Sequence, residues 1–152
     1  MDKQFFKRNN REFRKVKILI LLALSLTAGA QYSIDSVIDT LVRVESSGDA
    51  KAIGDDGRAV GLLQLWKTRV DDINRICKNN GYTYRFTYQD RLDATKSRLM
   101  CRIALMDFME RYKARKGKLP NEYILAHSWN RPYNYSIQNF NYIKKYKGKK
   151  GT

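Results

Sequence analysis

Apolar residues from Ile34 onward recur at 34, 37, 38, 41 and 44, the spacing of one helix face. This predicts a helix from Ile34 to Glu45, with Ser33 as its N-cap and Gly48 as its terminator. A turn is expected at Gly54-Asp55-Asp56-Gly57. A second helix is predicted from about Lys67 to Asn80, with Val70, Ile73, Ile76 and Cys77 on one side and Gly81 stopping it. Tyr82 to Gln89 is aromatic and β-prone, and reads as a strand or an extended loop. A third helix is predicted from about Arg91 to Lys116. A fourth begins near Pro120, a good first-turn residue, and carries Tyr123, Ile124, Leu125 and Trp129. A last helix spans Tyr135 to Tyr146. The pattern gives a mainly α chain with a Gly/Asp turn or small β-excursion between its first two helices.

The first thirty residues follow a different pattern. Lys3, Lys7, Arg8, Arg11, Arg14, Lys15 and Lys17 face only Asp2 and Glu12, and Ile18 to Thr27 is an apolar run ending at Ala28-Gly29-Ala30. A basic region, a short apolar region and an A-x-A site are the parts of a secretory signal. The run is shorter than the roughly 20 residues that a spanning helix needs. Residues 1–30 are therefore expected to be a cleaved signal, with an uncleaved anchor as the alternative. The expected organisation is a signal over 1–30, one folded domain over 31–146 and a frayed basic tail over 147–152.

Charge sharpens the picture. The chain has 152 residues, thirty of them basic and fifteen acidic, a formal net charge of +15. Residues 31–152 keep 23 basic and 13 acidic residues. Such a domain suits an anionic partner. Export directs that expectation away from nucleic acid and towards a cell wall or membrane surface, in the secreted, periplasmic or envelope space. Export also allows a disulfide between Cys77 and Cys101, but both sit in apolar helical stretches where free thiols pack well. With a single histidine, His127, a zinc site is not expected, and neither is any other metal or cofactor.

Glu45 lies four residues after Leu41, on the apolar face of its helix. Burial of a carboxylate favours its neutral form, and a neutral acid can protonate a departing sugar oxygen. Periodicity alone favours a plainer role, a helix-end glutamate in solvent or paired with Arg43 or Arg58. The neighbouring segments change that balance. Val44-Glu45-Ser46-Ser47-Gly48 is followed, past the Gly/Asp turn, by Ala59-Val60-Gly61-Leu62-Leu63-Gln64-Leu65, and later by Ala126-His127-Ser128-Trp129-Asn130-Arg131-Pro132.

These three segments resemble the signature of the lytic-transglycosylase group of the lysozyme-like superfamily, over roughly residues 34–146. In that group a Glu-Ser pair ends a helix, a Gly-Leu-Met-Gln type segment follows, and an Ala-Tyr-Asn-Ala-Gly type segment comes later. Here Leu63 stands for Met, Trp129 for Tyr, and Arg131-Pro132 for Ala-Gly. The resemblance implies a lysozyme-like fold and a cofactor-free peptidoglycan-cleaving enzyme, expected to be a monomer.

It implies Glu45 as general acid and then base. Ser46 would orient the carboxylate or touch substrate, Gln64 would line the cleft, and Asn130 would bond the N-acetyl group or the carboxylate. Trp129, lacking the family hydroxyl, would stack on a sugar or pack in the core. Asp55 or Asp56, if opposite Glu45, would make the enzyme a hydrolytic muramidase, although exposed turn positions suit them better. A wall-binding protein of weak activity is the third alternative. His127 reads as structural, Arg58 and Arg131 as solvated or facing wall carboxylates, and Tyr82, Tyr84 and Tyr88 mainly as packing.

Overall fold

The computed structural model describes residues 32–151; the expected signal segment lies outside the described residues. Among them are five helices and one two-stranded hairpin: α1 Ile34–Ser46, β1 Ile53–Gly54, β2 Ala59–Val60, α2 Lys67–Asn80, α3 Ala94–Lys116, α4 Glu122–Asn130 and α5 Phe140–Lys149. The chain is thus a mainly α-helical domain with a small antiparallel β-hairpin between its first two helices. No described helix is long and apolar enough to cross a membrane.

Helix α1 follows its pattern. Ser33 caps it by accepting from the Asp35 N–H at 3.1 Å, and Val37, Ile38, Leu41 and Val44 are buried. The buried face is wider than the apolar spacing suggests, because Thr40 and Val42 are also covered. Ser47, not Gly48, takes the left-handed position that ends the helix, at φ 55°. Gly81 ends α2 at φ 73°, as the pattern predicts.

Helix α3 is the hub, packed by α1, α2 and α4, while α5 closes over α1 and α4. It starts at Ala94 because Asp93 caps it, accepting from the Lys96 N–H at 2.9 Å. The preceding residues Tyr88–Leu92 form a separate 3₁₀ turn. The β-prone stretch before that turn forms no strand, and both backbone groups of Phe86 are bonded by the Asn74 side chain at 2.8 Å. Pro120 lies before the fourth helix, whose cap is Asn121.

The last helix is displaced from its predicted span. It begins at Phe140, five residues late, because the Asn139 side chain caps it. It also runs three residues into the expected tail. Lys150 bonds Glu122, and the Lys147 ammonium lies 4.7 Å from the Tyr123 ring centre, so this end is anchored where fraying was expected. Cys77 and Cys101 are both buried free thiols. Burial pushes both thiols upward in pKa, consistent with inert packing groups.

Candidate active site

The segment after the hairpin, Gly61 to Leu65, has no ladder of its own beyond the Val60–Leu65 bridge. Its buried carbonyls still require donors. Residues from distant elements supply them. Ser46 Oγ donates to the Leu62 carbonyl at 2.8 Å. Trp129 Nε1 donates to the Leu63 carbonyl at 3.3 Å. Arg91 Nη1 donates to the Leu65 carbonyl at 3.0 Å. Gln64 closes its own turn, its Nε2 donating to the Ala52 and Gly61 carbonyls at 3.2 and 3.0 Å. This network fixes the hairpin region against the end of α1.

Gly61 shows how close that approach is. It sits at φ 80°, and a Cβ there would lie 1.9 Å from the Arg91 carbonyl oxygen. Any side chain would push the segment off Arg91. Gln64 also occupies the left-handed region, at φ 48°. Strain of this kind costs about 1–3 kcal/mol and persists only where surroundings hold it, as the network above does.

Glu45 stands at the end of α1 beside this fixed segment and is half-buried. Tyr142 of α5 donates its hydroxyl to Glu45 Oε1 at 2.7 Å. The other oxygen, Oε2, has no protein partner among the described residues and is not sealed off. Burial pushes the Glu45 carboxyl above its ordinary value of 4.5. The Tyr142 bond and Lys145 pull it back only partly, and the Asp55 charge adds to the rise. Tyr142 itself is held well above its ordinary range by burial and by Glu45, so it remains a donor. Neither Arg43 nor Arg58 pairs with Glu45. Arg43 Nε donates to the Lys149 carbonyl, and Arg58 reaches Asp56 at 3.9 Å and stacks 4.8 Å from the Trp66 ring centre.

The other candidate residues are distributed unevenly about Glu45. Ser46 spends its hydroxyl on backbone carbonyls rather than on the carboxylate or an open cleft. Gln64 is half-buried and serves first as a lock on the hairpin. Trp129 is only 8 % exposed, with the Arg69 guanidinium 5.0 Å from its ring centre, so it packs in the core. Its indole N–H is consumed by Leu63, because a buried indole must find an acceptor. Asn130 is exposed, and its Oδ1 accepts from Asn139 Nδ2 at 3.2 Å.

Asn139 in turn accepts from the Tyr142 N–H at 3.0 Å. Asn130 is therefore linked to Glu45 through Asn139 and Tyr142. Of the two turn aspartates, Asp56 is almost wholly in solvent, its side chain 98 % exposed. Asp55 is held by the Trp66 indole N–H at 3.2 Å, and its charge reaches Glu45.

Tyr142, Asn139 and Arg91 were not anticipated from sequence. The hydroxyl bonded to the glutamate comes from Tyr142, 97 residues along the chain. Its one local signal is helical spacing, since Tyr142 and Tyr146 lie one turn apart on a buried face. Among the described residues, no group of three or more His, Cys, Asp or Glu side chains is placed to hold a metal ion. Comparison with protein-family models, with curated proteins and with solved structures finds no match.

Proposed function

We propose that this protein is an exported peptidoglycan-cleaving enzyme with a lysozyme-like fold, acting as a lytic transglycosylase on the MurNAc-GlcNAc β-1,4 bond. One observation carries the reading: a half-buried glutamate of raised pKa, gripped on one oxygen by Tyr142 and open at the other. The motif resemblance around Glu45, Gly61 to Gln64 and Asn130 supports it, as does the basic surface of the domain.

In this reading the protonated Glu45 donates from Oε2 to the glycosidic oxygen as the bond to the muramoyl C1 breaks. The substrate's N-acetyl group stabilises the positive charge at C1. The carboxylate then takes the proton of the muramoyl 6-hydroxyl as that oxygen closes on C1, giving a 1,6-anhydro end and restoring the acid. One protein carboxyl group suffices. Tyr142 fixes its rotamer, and burial favours its protonated form.

A hydrolytic muramidase is the second reading. The observation in its favour is Asp55, whose charge acts on Glu45 and whose carboxylate is oriented by Trp66. The test is mass analysis of products from purified peptidoglycan treated with the wild type and with Glu45→Gln. The lytic reading expects 1,6-anhydro ends from the wild type and a loss of about 10²–10⁴-fold in the variant. Reducing ends would select the muramidase. Equal cleavage by both proteins would remove Glu45 as the acid.

A further inference from the structure

His127 is the one histidine of the chain and is fully buried. Its Nε2 faces two backbone donors, the Asn139 N–H at 3.1 Å and the Gln138 N–H at 3.4 Å. A ring nitrogen accepts only when it carries no proton, so this imidazole is neutral and bears its hydrogen on Nδ1. That Nδ1 is buried and has no partner in the structure. A buried N–H without an acceptor costs about 1–3 kcal/mol, so the ring is retained at this position against a local penalty. What it gains is the turn it holds.

That turn leads directly to the acid. Asn139 is the N-cap of α5, and the amide that its side chain accepts from belongs to Tyr142. Tyr142 is the residue that donates to Glu45. Helix α5 has only ten residues, too few to be stable by themselves, and its start is set by the Asn139 cap. Its register over Glu45 depends on what holds its first turn. His127 grips the backbone of that turn, and Asn130, one turn along α4, grips the Asn139 side chain.

We propose that His127 is a positioning residue for Glu45, its neutral ring holding the Gln138–Asn139 turn so that Tyr142 meets the carboxylate. The proposal rests on Glu45 being the catalytic acid. It adds a second proton to the site's behaviour. Protonation places an Nε2–H against two N–H donors, which must then separate. Burial, and the positive charge of Arg131 on the same helix, oppose that protonation and hold the ring below its ordinary value of 6.5. No charged group of α1, α3 or α5, the helices packed on α4, acts on the ring. The turn should therefore hold at neutral pH and release in acid, as pH falls through the lowered value.

The test uses the purified protein, whose single histidine makes ring NMR signals unambiguous. The expected spectrum shows the Nδ1–H tautomer and a titration below 6.5. In His127→Leu, the Glu45 carboxyl midpoint followed by 13C NMR should rise as the Tyr142 bond loosens. The kcat on peptidoglycan should fall about tenfold with KM little changed, the size of one lost hydrogen bond. Adding Tyr142→Phe to His127→Leu should cost little more. His127→Gln, whose carbonyl can accept from Asn139 without titrating, should recover most of kcat and lose the histidine's part of the acid limb. It also serves where the leucine variant does not fold.

The proposal is overturned by an Nε2–H tautomer, by an unmoved Glu45 midpoint in both variants, or by losses that multiply with Tyr142→Phe. A wild type that cleaves no peptidoglycan, yet shows the tautomer and the midpoint shift, would instead refute the enzymatic reading and leave the positioning intact.

Discussion

Helix α5 carries two tyrosines one turn apart, and each donates to a glutamate: Tyr142 to Glu45 at 2.7 Å and Tyr146 to Glu122 at 2.9 Å. The two pairs share chemistry and differ in surroundings. Glu122 is the first residue of α4, where the helix dipole favours a carboxylate, and its second oxygen accepts from Lys150. Glu45 is next to last in α1, at the end where the dipole opposes a negative charge. No cation pairs with it, Asp55 adds repulsion, and its second oxygen is open. The Glu122 pair is a closed strut between α4 and α5. The Glu45 pair leaves a proton available. Burial and a tyrosine are common to both; the pairs differ in the lysine bonded to Glu122, the helix end each glutamate occupies and the open oxygen of Glu45.

The sharpest way to break this comparison is to neutralise each glutamate. Glu45→Gln should lower cleavage by about 10²–10⁴-fold, whereas Glu122→Gln should keep activity within a few-fold and lose about 1–3 kcal/mol of stability, measured by denaturant unfolding. The Glu45 substitution has a stability signature as well. A carboxyl raised in the folded state contributes most below its unfolded value of 4.5 and loses that contribution as pH rises through the folded value. Glu45→Gln should therefore gain on the wild type as pH rises above 4.5 and then level off. Unfolding midpoints that track each other at every pH would contradict the buried, raised acid.

A smaller effect separates the two tyrosines. Tyr142→Phe should lower kcat about tenfold and move the basic limb of the pH profile upward, because the bond it removes is one that lowers the Glu45 pKa. Tyr146→Phe should leave the profile in place and cost only about 1 kcal/mol in thermal or denaturant unfolding. Matching activity losses would show that α5 acts as a whole rather than through Tyr142. The smallest effect is expected at Lys150→Ala. Its side chain is 44 % exposed, so removing the pair with Glu122 should shift the unfolding midpoint only slightly, and high salt should reduce that shift further.

Much of the fold was legible because it is encoded locally. The 3.6-residue pattern from Ile34 gave α1, and Gly81 and Gly117 mark the ends of α2 and α3 in the left-handed conformation that a glycine adopts readily. The errors fell where a side-chain cap outranked the apolar pattern. Asp93 and Asn139 each set a later start than hydrophobic spacing implied. The end of α5 was missed for another reason: Lys147 and Lys150 look like a solvated tail until Tyr123 and Glu122 are placed beside them.

At the candidate site the division is physical. The sequence by itself determined where a carboxylate would end an apolar helix face, and which short segments accompany it, because periodicity and motif spacing are properties of neighbouring residues. Only the tertiary structure decided what those companions do. Ser46 and Trp129 turn their donors to the Leu62 and Leu63 carbonyls, and Gln64 adds a second donor to the Ala52 and Gly61 carbonyls, which already accept from backbone N–H groups. Tyr142 reaches Glu45 across 97 residues because α5 closes over α1. A raised pKa arises from burial, charge and hydrogen bonds summed over distant groups, and no local pattern carries that sum.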